Sequence, residues 1–399
     1  MTLECDVCIV GAGPAGLSLA AWLSAQGIET ICIERNDSLA LDLRASTFHP
    51  STLDMLDELG VVESMKREGV VVPNYQIRDR QGLEILADFQ FELISDRTKH
   101  PYRLQFEQHK LTPLLAAYLE NLPNNRLLFS TSYTLHEAKS TGVVTTAEGP
   151  DGPVIISSKF LVGADGVGSA VRTNAEIEYE GFTYPERFFS MSTPFRFEEN
   201  LSDLSYVTYI ADPREWCLML RTPELWRLMF PVPPDEDEKQ TLSDEATQGR
   251  LQGFYRLGED YEVRHRTLYR VQQRVAETYR RGRVILVGDA AHANNPLGGM
   301  GLNSGVHDAY NLKNKLLAVL EGSADETLLD TYSNQRRMVS IEHVNKQSAE
   351  NKKRLEASSP EARKAYREEL ENITSDIEKT RAHLLRTSLI ESLDQASRI

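Results

Sequence analysis

The chain has 399 residues and a mass of 45.0 kDa; 41% of its residues are hydrophobic and 26% charged. With 44 Lys and Arg against 59 Asp and Glu, the formal charge is −15, which excludes general attraction to nucleic acid or anionic lipid. The length suits two to three domains with sizeable cores, and 24 Gly with 17 Pro exclude collagen-like and disordered classes.

The chain opens with a βαβ pattern. Asp6–Val10 is a short apolar strand, Gly11–Gly16 a glycine turn and Leu17–Gln26 an Ala/Leu-rich helix closed by Gly27; Glu29–Ile33 is a second strand. Leu53–Leu59 predicts an amphipathic helix. From about position 73 the texture changes: Val70–Leu93 and Phe188–Val232 are rich in β-branched and aromatic residues with intervening turns. Between them, Lys110–Leu119 predicts a helix and Phe160–Val162 a buried strand. Val284–Val287 is a further buried strand, leading through a glycine loop to a helix over 302–320.

Strand signals all but vanish after Asp325. Ser359-Pro360 predicts a helix start, and Tyr366, Leu370, Ile373, Ile377 and Leu384 mark one face of a last helix, which either meets a partner or docks on its own domain. The expected architecture is α/β. A discontinuous Rossmann-like domain (1–72, 101–180 and 270–322) carries an inserted, mostly antiparallel β-sheet domain (73–100 and 181–269) and a helical C-terminal region (323–399).

Four cysteines make no disulfide framework. Cys5 and Cys8 form a CxxC, but residues three apart on a strand point to opposite faces, so buried small hydrophobes are expected. No basic segment precedes an apolar run at the N-terminus and no stretch reaches the length of a membrane helix. A cytoplasmic protein is expected, without nucleic-acid or membrane partners and monomeric or homodimeric.

Gly11-Ala12-Gly13-Pro14-Ala15-Gly16 is GxGxxG between a strand and a helix, the arrangement that brings backbone N–H groups and a helix N-terminus to a pyrophosphate. Glu34 ends the second strand, placed to accept hydrogen bonds from ribose hydroxyls, and Arg35 is a candidate contact for a nucleotide phosphate. This unit alone does not separate FAD from NAD. Two further turns follow strands: Asp165-Gly166, with Arg172 beyond it, and Gly288-Asp289-Ala290-Ala291-His292. Each sets a carboxylate at a sheet's C-terminal edge.

The ordered set of motifs resembles the single-component (class A) FAD-dependent aromatic hydroxylases, the p-hydroxybenzoate hydroxylase-like flavoprotein monooxygenases. It runs through GxGxxG, Glu34, Arg44-Ala45, Gln105, Asp165-Gly166 and Gly288–His292. It continues with Pro296, Gly298, Gly299, Gly301 and Asn303, and closes with Tyr332 and Arg336-Arg337. The resemblance implies FAD as cofactor, with Gly11, Gly13, Ala15, Gly16 and Glu34 around its adenosine diphosphate half. Arg44, Gln105 and Asp289 would reach its phosphates and ribityl chain, and Asp165-Gly166 would sit where the nicotinamide nucleotide arrives. Gly298, Gly299, Met300, Gly301, Leu302 and Asn303 would lie against the isoalloxazine, backbone amides and a helix start favouring negative charge on the reduced ring. The family's usual Pro-Pro is Asn295-Pro296 here, and His292 reads as a structural residue beside the loop.

The activity implied is NAD(P)H-dependent hydroxylation of a phenolic or hydroxylated N-heteroaromatic small molecule, with O2 as co-substrate, by a flavin C4a-hydroperoxide. Tyr209 resembles the tyrosine that meets the substrate phenol in the hydroxybenzoate enzyme; an ordinary sheet tyrosine is the alternative. Arg221 falls near that enzyme's carboxylate-binding arginine, and Arg227 and Thr47 are further substrate candidates. His49 is an alternative base, Pro296 a candidate contact to substrate, and no metal is expected. The competing readings are a halogenase or reductase of the same fold, or a flavin-binding sensor without catalysis. The halogenase WxWxIP signature is absent, Leu225-Trp226-Arg227-Leu228 being a poor substitute.

Overall fold

The computed structural model describes residues 1–41 and 45–399. Its first sheet has a parallel core in the order Val284–Leu286, Gly152–Gly163, Thr2–Val10, Thr30–Ile33, Asn125–Leu128, extended by an antiparallel hairpin, Ser132–Lys139 and Gly142–Gly149. Helices over Pro14–Ala25, Gln108–Glu120 and Met300–Leu320 pack against this core, and Leu17, Leu19 and Leu23 of the first are fully buried. A parallel sheet needs such cover because its strands are apolar on both sides. Cys5 and Cys8 accordingly belong to this core, and Cys5, Cys8, Cys32 and Cys217 are all buried free thiols.

A second sheet runs His292–Ala293, His265–Ala276, Tyr179–Thr193, Trp226–Val232, Cys217–Arg221, Val207–Ala211, Asn74–Asp79, Ile85–Gln90. It is antiparallel except where Val207–Ala211 meets Asn74–Asp79. Alternation sorts its side chains. Tyr75, Ile77, Tyr209, Leu218 and Leu220 join one apolar cluster, while Ile210, Cys217, Met219 and Trp226 join another on the opposite face. A three-stranded sheet, Thr47–Phe48, Arg103–Gln105 and Val70–Val72, is the third, with Arg103–Gln105 at its centre.

The C-terminal region is helical, and its last helix differs from expectation. Pro360–Thr374 and Ile377–Thr387 are two helices, because the Asp376 carboxylate accepts the Glu378 and Lys379 N–H groups at 2.9 and 3.2 Å and starts a new one. Ile377 is consequently 63% exposed, off the apolar face, while Tyr366, Leu370 and Leu384 pack into the cluster of Tyr75 and Phe89. The pair docks on its own chain: Arg367 reaches Asp79 at 2.7 Å and Glu84 at 2.9 Å. No helix among the described residues is long and apolar enough to cross a membrane.

Candidate active site

The glycine turn separates structural from ligand-facing positions. A Cβ on Gly11, whose φ is +107°, would stand 2.4 Å from the Ala164 carbonyl oxygen, and one on Gly16 would stand 2.1 Å from that of Gly11. Both glycines let strand, turn and helix pack. Gly13 differs: its Cβ would meet nothing within 4 Å, so the open space beside it is room for a ligand against the backbone. Gly13 caps the Pro14–Ala25 helix without any side-chain hydrogen bond to the first-turn amides. Ala15 packs its methyl toward Gly288 and Gly305, tying this turn to the second glycine loop. The Glu34 carboxylate accepts from the Ala12 N–H at 3.0 Å and from Asn36, which fixes it at the strand end beside the turn. Arg35 is exposed next to it, and Arg44 lies outside the described residues.

The two carboxylate turns are locked to each other. Asp165 is engaged with Ser169 Oγ at 2.5 Å and the Val171 N–H at 3.1 Å, at the start of a short helix, and burial raises its carboxyl above the usual range despite those bonds. Gly166 is left-handed with open space at its Cα. Arg172 donates to the Ala290 and Val167 carbonyls and lies 3.8 Å over the Tyr179 ring, whose hydroxyl donates to the Asp289 carbonyl at 3.0 Å. Asp289 is itself solvent-facing. Beneath the loop, buried Asp308 accepts from the Gly288 N–H at 3.0 Å, His292 Nε2 at 2.7 Å and Arg336 Nε at 2.6 Å. His292 is thus a structural partner of Asp308, as its sequence context implied. Tyr332 closes the same region by donating to the Leu286 carbonyl at 2.6 Å.

The Pro296–Asn303 segment folds as a glycine loop entering the Met300–Leu320 helix, with Gly298 at φ +112° and Gly299 at φ +66° as its uncapped N-cap. The half-buried Pro296 accepts the Gly299 N–H through its carbonyl at 2.9 Å. Gly301 faces the Asn294 amide and Leu302 is half-buried on the helix. Asn303 pins the loop: its Oδ1 accepts the His49 N–H at 2.8 Å and its Nδ2 donates to the Thr47 and Gly299 carbonyls. His49 Nε2 donates to the Gly298 carbonyl at 2.8 Å, leaving Nδ1 buried without a partner among the described residues. Burial and the nearby Arg103 charge hold His49 well below the ordinary histidine range. Gln105 is fully buried, exchanging hydrogen bonds with Thr47 and accepting from Ser46.

A cavity lies against this loop. Gly298 and Met300 form one side of it, and Tyr75, Arg103, Tyr209 and His383 are in its other walls. Tyr75 and Tyr209 meet edge-on with centroids 6.1 Å apart; Tyr75 Oη is 2.6 Å from His383 Nε2, and Phe89 stacks on the imidazole at 4.3 Å. Burial pushes the Tyr75 hydroxyl up to about 12 and the His383 imidazole down to about 3, so both are neutral.

Tyr209 is the substrate candidate in this wall; Thr47 and Pro296 are not among the cavity residues, and the two arginines lie elsewhere. Arg221 is on the far face of the second sheet, opposite Tyr209, where Glu198 accepts from its Nε at 3.3 Å and from Trp226 Nε1 at 2.5 Å. The strand's alternation turns it away from the cavity. Arg227 is buried 3.8 Å from Glu107, and is not among the cavity residues. The sequence reading missed Tyr75, Arg103 and His383, which carry no motif. The one available signal was Arg103 two positions before Gln105, on the same face of a strand.

A nucleotide-binding parallel sheet joined to an antiparallel sheet with an aromatic-lined cavity is the architecture of a flavin-dependent aromatic hydroxylase. The family described as FAD binding domain matches residues 4–347. Para-nitrophenol 4-monooxygenase of Pseudomonas sp. (strain WBC-3) is 31% identical over 366 residues, 90% of this chain and 89% of that protein. The 6-hydroxy-3-succinoylpyridine 3-monooxygenase HspB of Pseudomonas putida (strain DSM 28022 / S16) is 30% identical over 391 residues, covering 96% and 97%. The crystal structure of p-nitrophenol 4-monooxygenase PnpA from Pseudomonas putida DLL-E4 superposes with a TM-score of 0.91 at 29% identity, over 98% of each chain. The chain belongs to this FAD-binding family and is an FAD-dependent monooxygenase of aromatic compounds.

Proposed function

We propose that the protein hydroxylates a phenolic or hydroxylated N-heteroaromatic small molecule in the cavity beside the Pro296–Asn303 loop, with NAD(P)H as electron donor and O2 as co-substrate. The observation that carries this reading is that Gly298 and Met300 belong at once to the glycine loop and to the wall of the aromatic cavity. A substrate there would lie against whatever the loop holds. The chemistry of the surrounding groups fits FAD: a glycine cradle open at Gly13, two uncapped helix N-termini and a fixed carboxylate at Glu34. Bound FAD would supply both the passage of electrons from NAD(P)H and the electrophilic oxygen.

The chain's own residues supply placement and dryness. Gly11, Gly13, Ala15, Gly16, Glu34 and Arg44 would hold the adenosine diphosphate half, and Gln105, Asp165 and Asp289 would border the rest. His49 and Asn303 fix the loop, Tyr209 and Pro296 would meet the substrate, and the buried aromatic walls exclude water from the reacting oxygen. The free buried thiols support a reducing, cytoplasmic setting.

The test is a purified yellow holoprotein and a panel of phenols and hydroxypyridines. NAD(P)H oxidation is expected to accelerate with an accepted aromatic and to yield a product heavier by one oxygen atom. Bound flavin with no acceleration by any member of the panel overturns the hydroxylase reading.

A further inference from the structure

Among the described residues, Arg103 is the side chain of the cavity wall whose hydrogen-bonding groups remain unanswered. It is 2% exposed, and its Nε and Nη1 are buried with no hydrogen-bond partner. No ion pair or hydrogen bond to the guanidinium occurs among the described residues. Its Cζ lies over two aromatic rings, 4.4 Å from the Tyr75 centroid and 5.4 Å from that of Phe91. A cation–π contact supplies no hydrogen-bond acceptor, so the N–H groups of the guanidinium are left to seek one.

The ionisable groups of the cavity wall, and His49 beside the loop, are neutral or committed. Tyr75 and His383 are bonded to each other and uncharged, His49 is neutral and bonded to Gly298, and Glu369, the carboxylate in the cavity wall, is held by Arg354 at 2.7 Å. A buried cation with unfilled donors costs several kcal/mol unless an anion joins it. Ligand-binding sites keep such strained groups where ligand relieves them.

We propose that Arg103 is the substrate-binding residue that takes the anionic oxygen of the arene, so that the cavity selects phenols bound as phenolates. This deepens the hydroxylase reading and rests on it for the identity of the reaction, but not for the binding step. A phenol entering the site gives its proton to solvent and leaves both O–H bonding electrons on oxygen, and the guanidinium stabilises that charge. No oxidant or reductant is needed. A phenolate is the more electron-rich ring toward an electrophilic oxygen, so the Arg103 charge would favour the form that reacts.

The experiment titrates oxidised holoenzyme, without NAD(P)H, with para-nitrophenol, whose anion is coloured, and with its neutral amino counterpart para-nitroaniline. Wild type is expected to bind the phenol as anion and to lower its apparent pKa on the enzyme. R103M is expected to weaken phenolate binding on the order of tenfold to a hundredfold and return the bound pKa toward the free value. Binding of para-nitroaniline should change little, and R103K should recover part of the phenolate affinity. Without ligand, R103M should melt no lower than wild type, since it removes an unsatisfied buried charge; an arginine serving only structure would show the reverse. If R103M folds poorly, R103Q and R103K carry the same comparison. Equal phenolate affinity and bound pKa in wild type and variants overturns the proposal, as does binding of the phenol by wild type only in its neutral form. If wild type binds phenolate yet no phenol of the panel yields a hydroxylated product, the hydroxylase reading fails and the role of Arg103 stands.

Discussion

Asp308 shows how one residue holds a whole loop in place. It is fully buried and accepts from the Gly288 N–H, His292 and Arg336, so the turn at Gly288–Asp289, the edge strand at His292 and the helix carrying Arg336 meet on one carboxylate. Burial alone would raise its carboxyl, but the His292 and Arg336 contacts outweigh it and hold the group below the usual carboxylate range. A carboxylate lowered by folding contributes stability above its unfolded value, and that contribution is lost as pH falls through the folded value. D308N keeps the shape and removes the charge, leaving Arg336 buried beside a neutral amide. We expect a loss of about 3–5 kcal/mol at neutral pH, read as a lower Tm and poorer flavin retention. Across a Tm series from neutral toward acid, wild type should lose stability more steeply than D308N; parallel curves would sink this account of the hub.

At the scale of elements, the dinucleotide turn was legible in the sequence because its requirements are local. Gly11 and Gly16 are demanded by backbone atoms close at hand, and Glu34 by the end of a strand. The cavity was not legible, because Tyr75, Arg103, Tyr209, Met300 and His383 come from separate elements whose meeting is set by the packing of two sheets and the C-terminal helices. Arg221 is separated from the cavity by one bit of information, the side of the strand, and the single last helix failed because the Asp376 cap interrupts a face that spacing alone continues. The turn also makes a sharp contrast between neighbours. Gly13 has extended backbone (φ −75°, ψ 178°) and open space at its Cβ position, so Gly13→Val should leave the apo fold within about 1 kcal/mol of wild type. FAD affinity should nevertheless drop tenfold or more, since the branched side chain fills the cradle. Gly16→Val drives a Cβ to within 2.1 Å of a backbone oxygen and should cost about 3 kcal/mol or more in the apoprotein itself. Apo melting curves together with flavin retained after dialysis separate the two; equal destabilisation would refute the assignment of Gly13 to ligand.

For the whole molecule, the question is how a buried cavity admits an aromatic and still excludes water. A second cavity, bordered by Asp212, Pro213, Arg363 and Arg367, lies against the first, and Arg354, Leu355 and Tyr366 line both. These residues form a thin partition between the site beside the glycine loop and the outer surface of the C-terminal helices. The partition is tied down from both sides: the Asp212 N–H donates to the Leu355 carbonyl at 3.3 Å, Arg354 pairs with Glu369, and Arg367 anchors its helix to Asp79 and Glu84. Leu355 is 3% exposed and carries no polar function, so its contribution to the partition is volume. Leu355→Ala should cost about 2–5 kcal/mol in stability by the ordinary rule for a buried leucine. Its diagnostic effect is on coupling. On the proposed NAD(P)H-dependent reaction, a breached partition would let water reach the reacting oxygen, so NAD(P)H oxidation stimulated by substrate should persist while H2O2 released per NAD(P)H rises and hydroxylated product falls. Leu355→Met, which preserves volume, should stay close to wild type in both. Measuring H2O2, product and NAD(P)H in the same reactions decides the matter: unchanged coupling in a folded L355A protein would mean that water is excluded elsewhere and that these three residues are not the barrier.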